Sequence, residues 1–120
     1  MARILFIIAR EGFRDEEYDI PRRRLEREGH TVVTASTAIG RATGKLGMPA
    51  EVEIALPDVE ISEYAGVACI GGPGSPQFWD DHLVHDLLRQ AGRSGLVVAG
   101  ICSAAVILAR SGVLASRRAT

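Results

Sequence analysis

The sequence predicts an α/β fold: a doubly wound, mainly parallel sheet with helices on both faces. Three observations carry this. The runs beginning at Arg3, Gly66 and Leu96 are solidly apolar, and a further β-rich run begins at Thr31. Runs without in–out alternation mark strands covered on both sides, as parallel strands are. Between them lie amphipathic segments of helical length, the spacing that βαβ units require.

Taken in order, Arg3–Ala9 shows no polar alternation after Arg3 and reads as a strand buried on both faces. Asp15–Glu28 reads as a helix, with Asp15 as candidate N-cap, acidic residues in its first turn and Gly29 closing it. Pro21 is expected to bend or locally break it. Thr31–Ser36 is the second strand. The glycine-rich, then alternating, stretch Gly40–Glu53 suits an excursion or small hairpin. Gly66–Ile70 is the third strand and runs into Gly71-Gly72-Pro73-Gly74. Asp80 or Asp81 caps a helix to about Arg93, which Gly95 ends. Leu96–Ile101 is a fourth buried strand, and Ser103–Ser111 a short apolar helix. No linker or repeat divides the chain, so residues 1–120 read as one domain.

Composition removes several classes of function. The 120 residues, 47% apolar, can bury a core and are not disordered by composition. A net charge of −1 argues against a dedicated nucleic-acid binder, and no apolar run approaches a membrane span. The N-terminus lacks the apolar stretch and cleavage site of a signal peptide. Two cysteines make no disulfide scaffold, so a reducing, cytoplasmic setting is expected. The 13 arginines beside one lysine are read as genome bias or surface stability.

Doubly wound sheets bind ligands at the carboxyl ends of their strands, here just after Ala9, Ile70 and Ile101. Gly100-Ile-Cys-Ser-Ala104 joins a strand to a helix with a nucleophile-capable residue at the corner, the pattern of a nucleophile elbow. A thiol there feels a helix N-terminus, which favours thiolate. Cys102 as a small buried hydrophobe is the competing reading. Gly71-Gly-Pro-Gly lacks both the P-loop Lys-Ser/Thr and G-x-G-x-x-G spacing. It reads either as a tight turn or, with the Ser103 N–H, as part of an oxyanion hole. Among Asp15, Glu16, Glu17 and Asp19, the helical wheel surrounds Glu17 with Tyr18, Ile20, Pro21 and Leu25. A carboxylate on an apolar face snorkels or is held protonated in a cleft; the second is favoured for Glu17, with Glu16 as second candidate.

Together, Arg3-Ile-Leu-Phe-Ile-Ile-Ala, Phe13-Arg-Asp-Glu-Glu-Tyr-Asp-Ile-Pro21, Glu28-Gly-His-Thr-Val-Val, Gly71-Gly-Pro-Gly and Ala99-Gly-Ile-Cys-Ser-Ala resemble the DJ-1/PfpI (ThiJ/PfpI) family along essentially the whole chain. The resemblance implies a flavodoxin-like sandwich with Cys102 as the reactive cysteine. It also implies Glu17, four residues before Pro21, as the partner glutamate, and Gly72 and Ser103 as oxyanion amides. Family activities include glyoxalase and deglycase chemistry on reactive carbonyls, peptidase, isonitrile hydratase, and redox-sensing or chaperone roles. In the peptidase-like branch a histidine follows the cysteine; Ser103 stands there instead. Family domains usually run further, so the chain is expected to lack the family's C-terminal portion, with a cleft wall and part of the core. Homo-oligomers, dimers or larger, are the expected state.

His30 reads as a turn or packing residue rather than a catalytic one. His82 and His85 stand at i, i+3 without a third ligand, so no metal is expected. Cys69 reads as a buried structural cysteine, and Arg22-Arg-Arg24 as a solvated helix face. The expected function is a cofactor-independent enzyme on small reactive carbonyls such as methylglyoxal. Cys102 thiolate would add to the aldehyde while Glu17, protonated when the thiol is ionised, moves the proton. The alternatives are a non-catalytic redox sensor or stress protein and, more weakly, a peptidase or amidase drawing a histidine from another subunit.

Overall fold

A computed structural model describes residues 1–120. The chain begins with β1 (Arg3–Ile7), β2 (Glu11–Phe13) and α1 (Asp15–Arg27). It continues through β3 (Thr31–Ser36), β4 (Gly40–Gly44), β5 (Pro49–Val52) and β6 (Ile54–Ala55). After two single 3-10 turns come β7 (Gly66–Cys69), α2 (His82–Arg93), β8 (Val97–Gly100) and α3 (Ala105–Ser111).

The main sheet has the order β6-β3-β1-β7-β8, and every pair in it is parallel. β1 sits in the middle because its side chains are apolar in both directions. Leu5, Ile7 and Ala9 enter the larger core with Val67, Val84, Leu88 and Ile107. Phe6 and Ile8 enter a second core on the opposite face with Phe13, Tyr18 and Val32. Thus α1 covers one face while α2 and α3 cover the other, as expected of a doubly wound sheet. The Gly40–Glu53 excursion is an antiparallel β4–β5 hairpin that extends β2 into a small second sheet.

Three local expectations are corrected. Arg14, not Asp15, is the N-cap of α1, and no side chain caps it. The Asp15 carboxylate instead accepts N–H bonds from Leu46 (3.1 Å) and Met48 (3.1 Å), fastening the β4–β5 turn. Second, α1 runs unbroken through Pro21. Proline withholds the N–H that the Glu17 carbonyl would otherwise receive. The helix survives this because Tyr18 packs edge-on against Phe6 and Phe13 and bonds to Thr34 Oγ1 at 2.7 Å.

Third, β8 is not buried on both faces: Val97 is 72% exposed. β8 is the last strand of the sheet, and an apolar groove of about 360 Å³, lined in part by Ile4, Phe6, Leu25, Val97 and Ala99, lies open beside it. By contrast, α2 forms as its sequence indicates. Asp81 caps it by accepting from Leu83 (2.9 Å) and Val84 (3.1 Å), and its buried stripe is Val84, Leu87, Leu88 and Ala91. No helix is long and apolar enough to cross a membrane.

Candidate active site

The carboxyl ends of β7 and β8 and the N-terminus of α1 meet at one place. β8 delivers Cys102 into a 3-10 turn, Cys102–Ala104, that leads into α3. The Cys102 backbone has φ +53°, left-handed for a residue with a Cβ, which costs about 1–2 kcal/mol. The surrounding small residues follow from this corner. A Cβ at Gly100 would come within 2.8 Å of Leu108 Cδ1 and 3.2 Å of Ala104 O, and Ala104 itself is fully buried. Cys102 is exposed, so the reading of it as a buried hydrophobe does not hold. Cys69 fits that description: it is fully buried, and burial pushes its thiol up to about 12.

The glycines after β7 are required by packing. Gly72 has φ +119°, and a Cβ there would approach Arg14 N and Gly12 O to 2.5 Å. The turn therefore nests against the β2–α1 junction, with the Arg14 N–H bonded to Gly71 O at 2.8 Å. Gly71 separates the two candidate reacting groups. A Cβ there would lie 2.6 Å from Glu17 Oε1 and 3.2 Å from Cys102 Cβ. Only a glycine leaves room at this backbone position for the Glu17 carboxyl on one side and the Ile101–Cys102 corner on the other.

Glu17 is fixed from both sides. Its Oε1 accepts the Gly71 N–H at 3.0 Å and its Oε2 stands 3.5 Å from Arg14 Nη1, with the side chain 12% exposed. Glu16, the second candidate, lies outside this arrangement, 47% exposed and receiving Arg14 Nε–H at 3.1 Å. Its own backbone N–H, and then Arg14, hold its carboxyl below the ordinary carboxylate range. Arg14 is raised by Glu16, then by Glu17, with a smaller contribution from Cys102. One neighbour on the wheel does not build an apolar surround for Glu17: Ile20 is 65% exposed.

Ser103 contributes more than a backbone amide. Its hydroxyl accepts the Gly72 N–H at 3.2 Å and pairs with the buried Ser75 hydroxyl at 2.7 Å. The amide assigned to an oxyanion hole at Gly72 is thus occupied by a neighbouring side chain. Trp79 Nε1–H donates to Ser103 O at 3.0 Å, and the Trp79 carbonyl is 2.8 Å from His85 Nε2. Arg110 lies over the Trp79 ring and pairs with Asp80 at 2.7 Å. His30 Nδ1 accepts the Ala2 N–H at 3.0 Å, tying the α1–β3 connection to the start of the chain.

Arg14, Ser75 and Trp79 are the neighbours that the sequence did not single out. A signal existed only for Trp79, the one tryptophan of the chain.

The family model of the DJ-1/PfpI family matches residues 2–120. An uncharacterised protein of Methanocaldococcus jannaschii is 35% identical across 99% of this chain and 58% of its own length. The deglycase PfpI of Pyrococcus furiosus is 34% identical across 98% of this chain and 70% of its own. Among solved structures, a ThiJ/PfpI domain protein from Brachyspira murdochii superposes with a TM-score of 0.93 at 32% identity, over 96% of this chain and 66% of that one. The chain spans 58% of the length of the Methanocaldococcus relative and 70% of that of PfpI. A match from the second residue to the last, with relatives about one-third identical, makes this chain a member of the DJ-1/PfpI family.

Proposed function

We propose that the protein is a cysteine-dependent, cofactor-independent enzyme acting on small reactive carbonyl compounds. The observation that carries this is the approach of Glu17 Oε1 and Cys102 Cβ to one point over Gly71. Deglycase-named relatives from Pyrococcus and Thermococcus, 31–34% identical, support an enzyme of this kind.

With methylglyoxal, the Cys102 thiolate adds to the aldehyde carbon and forms a C–S bond as the C=O π pair moves onto oxygen, which takes the Glu17 proton to give a hemithioacetal and leaves Glu17 as the carboxylate. Glu17 takes the C1 proton and returns one to C2, so the carbonyl is reduced as the thiohemiacetal carbon is oxidised to a thioester. Water cleaves the thioester, releasing lactate and the thiol. The sum is methylglyoxal plus water giving lactate, with no external oxidant. For Gly72 to stabilise the oxyanion, the substrate oxygen takes the place of the Ser103 hydroxyl on its N–H; the Ser103 N–H is the second proposed donor. A cytoplasmic setting and a homo-oligomeric state belong to the same proposal.

Lactate formation from methylglyoxal without added glutathione tests it. Wild type is expected to turn over, Cys102→Ala to lose all turnover, and Glu17→Gln to lose at least about a hundredfold, as befits a general acid–base. A folded wild type that makes no lactate would sink the reading. The exposure of Cys102 favours one alternative, a redox sensor; peroxide-dependent mass gain on Cys102 without carbonyl turnover would identify it. The peptidase reading fares worse, because Ser103 follows the cysteine and His85 is engaged with the Trp79 carbonyl.

A further inference from the structure

Ser103 follows Cys102 in the chain and is tied to its surroundings at both ends. Its hydroxyl accepts the Gly72 N–H at 3.2 Å, stands 3.3 Å from Gly72 O and lies 2.7 Å from the Ser75 hydroxyl. Its carbonyl accepts Trp79 Nε1–H at 3.0 Å. The hydroxyl contacts are unequal. An O–H···O bond of 2.7 Å has its preferred length, whereas 3.2 Å is at the long end for N–H···O. Ser75 is 1% exposed and its own N–H is bonded to Gly72 O at 3.0 Å, so it is a fixed anchor. The Gly72 amide is thus a loosely held partner of a hydroxyl whose firm partner is Ser75.

We infer that the Ser103 hydroxyl is a displaceable cap on the Gly72 amide, withholding that N–H from neutral acceptors and yielding it to an oxygen that becomes charged as Cys102 adds to its substrate. A neutral carbonyl oxygen arriving at Gly72 exchanges one neutral acceptor for another and gains nothing. An oxyanion gains a charge-assisted bond, about twice as strong. Displacement strands no group: the hydroxyl keeps Ser75 and has Gly72 O as a further acceptor, while the N–H passes to the oxyanion. The preference therefore falls on the transition state and not on the bound substrate. Ser103 acts through Gly72 and is a positioning residue. The class it favours is an electrophile whose oxygen takes up charge as the S–C bond forms; a substrate that expels a leaving group instead receives no help.

The inference rests on Gly72 as the oxyanion donor proposed above, and its test needs no turnover. Two reagents modify Cys102 through the same thiolate. With iodoacetamide, sulfur displaces iodide as the S–C bond forms and the C–I bond breaks, and the charge leaves with iodide. With acrylamide, sulfur bonds to the terminal alkene carbon and the π pair moves onto the amide oxygen as an enolate, which then takes a proton from water at the α carbon. The ratio of the two rates cancels the ionisation of the thiol and reads the help given to the oxygen. Both rates are followed by mass spectrometry of the Cys102 peptide in wild type, Ser103→Ala and Ser75→Ala. Cys69, fully buried, is followed on its own peptide as a control.

Ser103→Ala uncaps the amide and is expected to raise the acrylamide-to-iodoacetamide ratio about threefold, the worth of one neutral hydrogen bond. Ser75→Ala is expected to lower it, because the displaced hydroxyl then loses its firm partner and the cap holds harder. A merely structural loosening of the corner would move both variants the same way, and that outcome overturns the inference. So does a ratio unmoved in Ser103→Ala, or one that falls, which would make the hydroxyl a donor to the oxyanion. If Ser103→Ala does not fold, Ser75→Ala decides alone, and a ratio that does not fall overturns the inference. Lactate assays on the same samples separate the two claims. Where wild type turns over, Ser103→Ala should raise kcat with KM unmoved. The expected ratios without lactate sink the carbonyl reading and spare this one; lactate with an unmoved ratio does the reverse.

Discussion

The two cysteines of this chain differ in surroundings more than in sequence context. Each comes at the end of a run of alanine, valine and glycine, Cys69 as the last residue of β7 and Cys102 two residues past β8, yet Cys69 is fully buried and Cys102 exposed on a corner with φ +53°. Burial holds the Cys69 thiol neutral up to about 12, against an ordinary value of 9.0. Below pH 9 both folded and unfolded chains keep this proton, so the group contributes no pH dependence there. Above 9 the unfolded thiol ionises while the folded one does not. Stability is therefore lost as pH rises, by about 1.4 kcal/mol per unit until the folded thiol itself titrates near 12. Tyr64, raised chiefly by burial, adds a loss of the same sign above 10. Urea midpoints between pH 9 and 10 should fall in wild type and stay nearly level in Cys69→Ala, despite the lower overall stability of the variant. Equal slopes would show that Cys69 does not carry the effect. At this scale the sequence pointed to Cys102 through a strand-to-helix corner and to Glu17 through the helical wheel and, by the family resemblance, its place four residues before proline; these signals are contiguous in the chain. Ser75 and Trp79 were not: they reach Ser103 from 28 and 24 residues away, and no local pattern encodes such a contact. Arg14 looked like one more surface arginine because the partner that gives it meaning, Gly71, lies on another strand's end.

The elements show a similar divide between what is local and what is not. Helix α2 has a local start signal, an aspartate before an apolar stripe, and the structure uses it: Asp81 Oδ1 takes two N–H groups that the helix cannot satisfy itself. Asp81→Ala should cost about 1 kcal/mol in chemical denaturation. It should leave the alkylation rate of Cys102 unchanged, since the Asp81 side chain bonds only to N–H groups of α2 itself. A changed thiol rate would mean that α2 transmits strain through the Trp79–Ser103 bond. Helix α1 has the same kind of residue at its start, and there the local rule fails. Asp15 is drawn instead to the exposed N–H groups of the β4–β5 turn, 31 and 33 residues away, and the helix begins uncapped. Pro21 misled for the same reason. Its cost is local, but Tyr18 packing on Phe6 and Phe13 outweighs it. The runs at β1 and β7 were legible because strands covered on both faces need apolar residues at nearly every position, whereas β3, with Thr31, Thr34 and Ser36, was read from its β-branched content. The run at β8 has the same composition, and only its neighbours distinguish it.

At the scale of the molecule, β8 is an edge strand of the main sheet. Its outer edge pairs with nothing, and Leu96–Ile101 holds no charge, proline or bulge that would discourage another strand. Apolar grooves flank it on both faces, one beside Val97 and Ala99, the other beside Val98 and Leu108. Relatives that match along nearly the whole of this chain carry further length of their own. A net charge of −1 provides little repulsion between copies. The 120-residue chain is therefore expected to self-associate by edge pairing at β8, with the size distribution in sedimentation velocity growing over the micromolar range. Val97→Lys places a charge on a side chain that is 72% exposed, so it should cost the folded monomer little while penalising any face laid over it. The variant should shift the distribution to monomer and reduce binding of an apolar dye. Wild type that sediments as a monomer at all concentrations, without dye binding, would mean that the open edge is tolerated in water. If instead both proteins associate equally, the contact lies elsewhere, and the exposed arginine-lined face of α1 around Ile20 is the next surface to substitute.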